Sequence, residues 1–191
     1  MKTNKTVKMN DRQPAQPISI MPYAHTLWHS LMELRRYQLA EHGIMIPPEE
    51  LSDQPQNVGR EDYEWDYHHM AEIYLIGGGG FWLAWWEDDL AGHIGAQDLG
   101  GVIELRHMYV GADYRRRGIA TCLVQTLLDH CKTQSIKAIE LWTKMDGLGR
   151  RLYEQMGFKI TSAPGAEFSN LSYKTNFIPG EDEIRMHLDL I

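Results

Sequence analysis

The chain has 191 residues, of which 43% are hydrophobic and 24% charged, enough for one domain with a sizeable core. Its formal net charge of −7 argues against a general nucleic-acid binder held by phosphate contacts. No apolar run reaches the roughly 18–20 residues of a membrane span, and residues 1–17 lack the apolar centre of a signal peptide. We therefore expect a cytoplasmic protein with a flexible tail at residues 1–17 and a single domain at residues 18–191.

Histidines and cysteines give no metal-binding pattern. The nine histidines are scattered, and no set of His, Cys and carboxylate residues has a zinc-like spacing, so we expect no metal. Cys122 and Cys131 lie nine positions apart in one predicted helix, on opposite faces, and cannot pair with each other there. This fits a reducing compartment.

Hydrophobic periodicity and turn residues predict an alternation of strands and helices. The order is a strand, two helices, three strands, a helix, a strand, a helix and two strands. The three consecutive strands are joined by short turns, which indicates an antiparallel meander. Residues 163–182 are predicted to form a long irregular loop. The predicted strands are 18–21, 81–86, 90–97, 102–110, 137–143, 158–162 and 183–190, and the predicted helices are 25–41, 60–76, 118–135 and 146–156.

The most informative stretch is the arginine-rich run 114–121, which follows the fourth predicted strand and opens an amphipathic helix. Gly118 allows close approach of the backbone, and the first N–H groups of a helix have no acceptor within it. Those groups and the helix dipole favour an anion, and the arginines add charge that deprotonation does not remove. The run therefore predicts a phosphate-binding turn. The plainer interpretation is a turn glycine flanked by solvated arginines.

Two segments together resemble the GNAT superfamily of N-acetyltransferases. Residues 104–110, followed by Arg115-x-x-Gly118-x-Ala120, are similar to the acetyl-CoA signature of that family. Residues 151–158, with a leucine-tyrosine pair before a glycine-phenylalanine pair, resemble its second signature. The resemblance covers residues 81–190 well and implies an α/β (α+β) fold. That fold is a mixed, mostly antiparallel sheet of about seven strands, flanked by four helices and splayed between the fourth and fifth strands.

The resemblance implies acetyl-CoA as the cosubstrate, lying along the fourth strand. The backbone of Met108, Tyr109 and Val110 would pair with the pantetheine arm. Family members often carry an asparagine after the fifth strand and an alanine three residues before the leucine-tyrosine pair, where this chain has Asp146 and Gly149. Asp146 can accept a hydrogen bond from the pantetheine amide but cannot donate one. The pyrophosphate would lie on the backbone of Arg115, Arg116, Arg117, Gly118, Ile119, Ala120 and Thr121.

Two side chains are expected to move protons. The resemblance places Tyr153 beside the thioester sulfur, where a phenol can protonate the departing thiolate. Glu104 is the expected base, acting through water. His107 has a suitable pKa, but strict strand alternation places it on the opposite face from Glu104. The alternatives are a core tyrosine, an ion-paired glutamate and catalysis by proximity alone.

The acceptor is expected to be cationic. Residues 41–72 contain nine acidic residues and one arginine, a balance of −8. Such a field would attract a cationic amine, and four aromatic residues in or just after the segment offer faces for cation–π contact. A solvated acidic helix is the structural alternative. The four aromatic residues are Tyr63, Trp65, Tyr67 and Tyr74.

The predicted function is therefore acetyl transfer from acetyl-CoA to a small cationic amine by direct attack in a ternary complex. A protein or peptide acceptor and a non-catalytic acyl-CoA sensor are the alternatives. A nucleotide-binding module is disfavoured because the chain has no Walker lysine and no Gly-x-Gly-x-x-Gly turn. Neither nucleic acid nor a membrane is expected as a partner, while residues 163–182 and the six tryptophans leave room for a homodimer contact.

Overall fold

The computed structural model describes residues 17–62, 64–162 and 180–190. These ranges form a sheet of seven strands, the number predicted, in the order β1-β2-β3-β4-β5-β7-β6. The predicted tail, Tyr63 and most of the predicted loop at 163–182 lie outside the described residues. The strands are β1 (Ile18–Pro22), β2 (Gly80–Trp86), β3 (Asp89–Asp98), β4 (Val102–Val110), β5 (Ala138–Lys144), β6 (Lys159–Ile160) and β7 (Glu183–Asp189). The helices are α1 (Trp28–Ala40), α2 (Trp65–His68), α3 (Met70–Ile73), α4 (Ile119–Thr133) and α5 (Leu148–Gln155).

The sheet has an antiparallel half and a second half joined to it by one parallel pair. Strands β2, β3 and β4 form the predicted meander, β1 pairs antiparallel with β2, and β7 lies antiparallel between β5 and β6. The parallel pairing of β4 with β5 covers only four residue pairs, from Val102–Ala138 to Leu105–Leu141. Beyond Leu105, β4 continues to Val110 and β5 to Lys144 without pairing to each other. The predicted splay between the fourth and fifth strands is confirmed.

Alternation along the strands builds one hydrophobic core on each face of the sheet. In β2, Trp82 and Ala84 face the core that α4 and α5 cover, while Phe81 and Leu83 face the core that α1, α2 and α3 cover. Helix α4 presents its buried residues at four-residue intervals, as an amphipathic helix does on a sheet. These buried residues include Ile119, Leu123, Leu127 and Cys131.

The second predicted helix is split. Residues 60–76 were expected to form one helix, but the structure has two single turns, α2 and α3, separated at His69 with φ −111° and ψ 33°. Trp65, Asp66 and Tyr67 are consecutive and all buried. Successive residues of a helix point about 100° apart, so a continuous helix lying on the sheet cannot bury three in a row. Burial in the tertiary structure therefore outweighs the helical periodicity of this segment and determines its conformation.

The six tryptophans belong to the interior. All six lie in the described ranges, and each is buried or half-buried. Within the same ranges, no helix is long and apolar enough to cross a membrane.

Candidate active site

Strand β4 carries a bulge where it leaves β5. Arg106 pairs with Gly95 and Tyr109 with His93, so two residues of β4, His107 and Met108, lie opposite one residue of β3. His107 has φ +49°, in the left-handed region, which costs a residue with a side chain about 1–2 kcal/mol. The bulge interrupts the alternation, and Arg106 and His107 both contact Asp66 of α2. The expectation that His107 faces away from Glu104 is therefore wrong.

Asp66 is the centre of a buried polar cluster. Its Oδ2 atom accepts hydrogen bonds from His107 Nε2 at 2.5 Å and from the Tyr74 hydroxyl at 2.8 Å. Arg106 Nη2 lies 3.4 Å from the same oxygen. Burial acts to raise the pKa of Asp66, but His107, Arg106 and Tyr74 outweigh it and hold that pKa well below its usual range. Burial lowers the pKa of His107, although the charge of Asp66 and its hydrogen bond act to raise it.

Glu104 is a buried carboxylate in β4, one residue before the last position at which β4 pairs with β5. It pairs in register with Gln97 of β3 and Glu140 of β5, and its side chain is nearly inaccessible. In the described part of the structure, its Oε2 atom has no hydrogen-bond partner and it forms no ion pair. Burial, aided by Glu140 and Asp66 and opposed by Arg106 and Arg185, raises the pKa of Glu104 to about 7. The structure therefore does not show the ion pair that was the structural alternative for Glu104.

Tyr153 lies on α5 and is buried against the core on the α4 side of the sheet. Its ring meets Phe158 edge-on, with the centroids 5.6 Å apart. A Cβ atom at Gly149 would lie 3.3 Å from the Tyr153 ring, so the glycine at this position leaves room for the tyrosine. Burial raises the pKa of Tyr153, so the phenol is protonated at neutral pH and is a weaker acid than an exposed tyrosine. Protonation is the state that a general acid requires.

The turn before α4 presents open N–H groups. Gly118 is the N-cap residue with φ +85°, and no side chain caps the helix. The first hydrogen bond of the helix runs from Cys122 N–H to Gly118 O at 3.0 Å. The N–H groups of Ile119, Ala120 and Thr121 therefore have no acceptor within the helix. This geometry fits an anion, because these N–H groups and the positive end of the helix dipole point the same way.

The three arginines of the turn have different surroundings. Arg115 binds the Glu41 carboxylate through Nη2 and donates from Nε to the Val110 carbonyl at 2.9 Å. The Tyr109 hydroxyl donates to the same carboxylate at 2.8 Å. Arg115 therefore fastens the end of β4 to the end of α1.

The other two arginines face outward. The Arg117 guanidinium lies 4.6 Å from the centre of the Trp86 ring. Arg116 has φ +63° and is exposed, and its side chain has no partner among the described residues. Arg116 is thus the side chain of the three that is open to a bound anion.

Asp146 lies at the far end of the splay, in the turn between β5 and α5. Its side chain is exposed and has no partner in the described ranges. It borders a pocket of about 390 Å³ whose other walls are Lys144, Met145, Gly147 and Asp182.

The acidic segment 41–72 is less charged in three dimensions than its sequence indicates. Three of its nine acids are held by cations from elsewhere in the chain. Glu41 binds Arg115, and Asp66 binds Arg106. Glu64 binds Arg35, with Arg35 Nη2 2.9 Å from Glu64 Oε1. The other six, all of them exposed, are Glu49, Glu50, Asp53, Glu61, Asp62 and Glu72.

Three of the four aromatic residues expected to contact a cationic ligand are not available to one. Trp65, Tyr67 and Tyr74 are buried, and the two tyrosine rings meet Phe81 edge-on inside the second core. The expected cation–π surface is therefore wrong for these three residues, because hydrophobic burial takes the rings into the interior. Among the described residues, no group of three His, Cys, Asp or Glu side chains is placed to hold a metal ion.

The contacts of Asp66 and Glu41 were not predicted from the sequence, where both residues appear only as negative charges. Asp66 acts on a residue 41 positions away and Glu41 on one 74 positions away. No local pattern signals such pairs.

A mixed sheet of this strand order, parted between β4 and β5 beside an uncapped helix, defines an acetyltransferase-type α/β domain. The family described as the Acetyltransferase (GNAT) family matches residues 45–158, more than half of the chain. The chain belongs to the GNAT acetyltransferase family.

Relatives agree with this assignment. Human N-acetyltransferase 8 is 34% identical over 104 residues, which is 50% of this chain and 46% of the human protein. The chain thus matches less than half the length of that curated relative. A GNAT-family acetyltransferase from Staphylococcus aureus Mu50 superposes with a TM-score of 0.69 at 23% identity, covering 91% of this chain and 99% of the other. The PaiA N-acetyltransferase from Thermoplasma acidophilum, solved with coenzyme A, gives 0.61 at 17% identity, covering 90% and 98%.

Proposed function

We propose that the protein is an acetyl-CoA-dependent N-acetyltransferase that acts by direct attack of an amine in a ternary complex. The observation that carries this proposal is the divergence of β4 from β5 beyond Leu105, next to the open N–H groups of α4. The freed backbone of Met108–Val110 offers groups that an amide-rich pantetheine arm can pair with, as an added strand does. The pyrophosphate then meets the turn at 115–121. Family membership and the coenzyme A complex of a relative support the same cosubstrate.

The proposed chemistry uses Glu104 and Tyr153. Glu104, acting through water, accepts the proton of the bound ammonium group, which frees the nitrogen lone pair. The nitrogen attacks the thioester carbonyl carbon and forms the C–N bond. The nitrogen of the tetrahedral intermediate loses its second surplus proton to water, the intermediate collapses and the C–S bond breaks. The Tyr153 hydroxyl gives its proton to the departing thiolate and regains one from solvent. A pKa of Glu104 near 7 suits this exchange at neutral pH.

The same two residues favour an enzyme over an acyl-CoA sensor. A buried carboxylate oxygen without a hydrogen-bond partner destabilises the fold, which favours a role for Glu104 other than stability. A sensor needs neither that carboxylate nor a buried phenol.

For the acceptor we propose a small cationic amine, with a peptide amine as the second choice. The support is the set of six exposed carboxylates in residues 41–72, on the side of the sheet formed by α1, α2 and α3. A negative field on that side raises the local concentration of cations.

The test is a panel of neutral and cationic amines scored by release of coenzyme A, at low and high salt, with wild type and Tyr153→Phe. We expect cationic amines to have the lower KM and to lose that advantage in high salt, because salt screens exposed charges. Tyr153→Phe should lower kcat by about 10²–10⁴-fold while acetyl-CoA affinity is kept.

Three results would count against parts of this proposal. Equal preference for neutral and cationic amines with no salt effect removes the charge argument. Unchanged turnover in Tyr153→Phe removes the acid assignment. Tight acetyl-CoA binding without turnover of any amine or peptide would favour a non-catalytic acyl-CoA sensor over an enzyme.

A further inference from the structure

The bulge in β4 is built from an unusual residue. A bulge whose first residue is in the left-handed region ordinarily has glycine there, because glycine adopts positive φ without a steric penalty. This chain has His107 at φ +49° in that position. The backbone of β4 beyond His107 continues as Met108–Val110, so the conformation of His107 sets the direction of those residues.

The His107 ring is held by the segment that replaces the second predicted helix. Its Nε2 atom lies 2.5 Å from Asp66 Oδ2, and its ring lies against Tyr67, with the centroids 4.3 Å apart. Asp66 is itself fixed by Tyr74 and Arg106 and is buried. The carboxylate is therefore an anchored acceptor directed at a strained residue. The contact joins α2 to β4 across 41 positions of sequence.

We propose that Asp66 is a positioning residue, which holds His107 in its left-handed conformation and thereby directs the backbone of Met108–Val110 toward the cosubstrate. This inference rests on the proposed binding of acetyl-CoA along β4. It assigns Asp66 no contact with substrate and no proton transfer. Its effect reaches the cosubstrate through the backbone of the bulge.

The decisive comparison is between His107→Ala and His107→Gly. Both variants lose the bond to Asp66, but glycine alone adopts positive φ without strain. We expect the dissociation constant for acetyl-CoA of His107→Gly to lie within about threefold of the wild-type value. His107→Ala should bind acetyl-CoA at least about tenfold more weakly than wild type, because strain of about 1–2 kcal/mol corresponds to that factor. The dissociation constants are measured by isothermal titration calorimetry, with circular dichroism and melting curves for each variant.

A second arm tests Asp66 directly. Asp66→Ala should weaken acetyl-CoA binding in the wild-type background and have no further effect in the His107→Gly background, since the glycine bulge does not need the carboxylate. Asp66→Asn keeps an acceptor oxygen and should restore most of the affinity. Tyr74→Phe is the matched control, because it removes another hydrogen bond to Asp66 and leaves the bond to His107 in place.

Equal affinities of the glycine and alanine variants at position 107 would overturn the inference, because the imidazole rather than the backbone would then matter. The inference would also be overturned if Asp66→Ala weakened acetyl-CoA binding as much in the His107→Gly background as in wild type. Asp66 would then act through its ion pair with Arg106 and not through His107. If Asp66→Ala does not fold, the comparison at position 107 decides alone. Failure of the proposed function is distinct, because wild type would then not bind acetyl-CoA.

Discussion

Glu104 shows how a single residue acquires its chemistry from its surroundings. An exposed glutamate is ionised well below neutral pH and is a weak base. In this site, burial between Gln97 and Glu140 raises its pKa to about 7, with Arg106 limiting the rise. The pKa therefore matches the pH at which a general base is most effective.

This residue predicts the pH dependence of the reaction. Because the base acts when deprotonated, kcat/KM should rise with pH through about 7 and then level off. Glu104→Gln should lower kcat/KM by about 10²–10⁴-fold at pH 8 and abolish that rise. The measurement is kcat/KM from pH 5.5 to pH 9 for both proteins. A rise that survives in Glu104→Gln belongs to the acceptor amine and contradicts the assignment.

At the residue scale, the sequence predicts the groups that belong to family motifs and misses those that support them. Glu104 and Tyr153 stand in segments with a recognisable order of residues. Asp66 and Glu41 act through contacts that only the folded chain creates, and their partners turn a predicted field of −8 into a weaker one. The prediction that Trp65, Tyr67 and Tyr74 face a ligand was wrong for the same reason.

Among the elements, the turn into α4 depends most on backbone conformation. Gly118 has φ +85°, and a Cβ atom there would meet nothing within 4 Å. Alanine at this position therefore costs only backbone strain, about 1–2 kcal/mol, yet it disturbs the N–H groups of the turn.

Gly118→Ala should weaken acetyl-CoA binding by about tenfold and lower stability by about 1–2 kcal/mol. The matched control is Gly100→Ala in the turn between β3 and β4, where φ is +94° and the space for a Cβ atom is equally open. It should show the same loss of stability in urea unfolding and no change in affinity by calorimetry. Equal affinity losses in the two variants would show that the turn has no special role.

Element order was predictable because strand alternation and helical periodicity are local signals. The conformation of residues 60–76 was not predictable in this way, because it depends on the burial of three consecutive residues. The bulge in β4 was also invisible, because a histidine at φ +49° does not resemble the glycine that marks such a site. Local rules fail here at the point where β4 turns toward the proposed cosubstrate.

On the scale of the molecule, the proposed cosubstrate lies where the two halves of the sheet part. Four residue pairs between β4 and β5 hold these halves together. A ligand bound along β4, against the turn of α4, adds contacts at this junction. Its binding should therefore stabilise the whole fold and not a single loop.

Acetyl-CoA at about 100 times its dissociation constant should add about 2.7 kcal/mol and raise the melting temperature by about 5–10 °C. ATP and NAD at the same concentration should raise it little, since neither has a pantetheine arm to pair with β4. Thermal unfolding followed by fluorescence checks this. A shift with ATP or NAD equal to that with acetyl-CoA would favour a general nucleotide site.

The short junction between β4 and β5 also bears on the order in which the chain folds. Strands β2, β3 and β4 meet through tight turns, whereas β4 and β5 pair residues 36 positions apart, as Val102 does with Ala138. Closing that loop, which contains α4, has a larger entropic cost and is expected late. The cleft exists only once this pairing has formed. Occupancy by acetyl-CoA would thus distinguish chains that have completed folding from those that have only formed the meander.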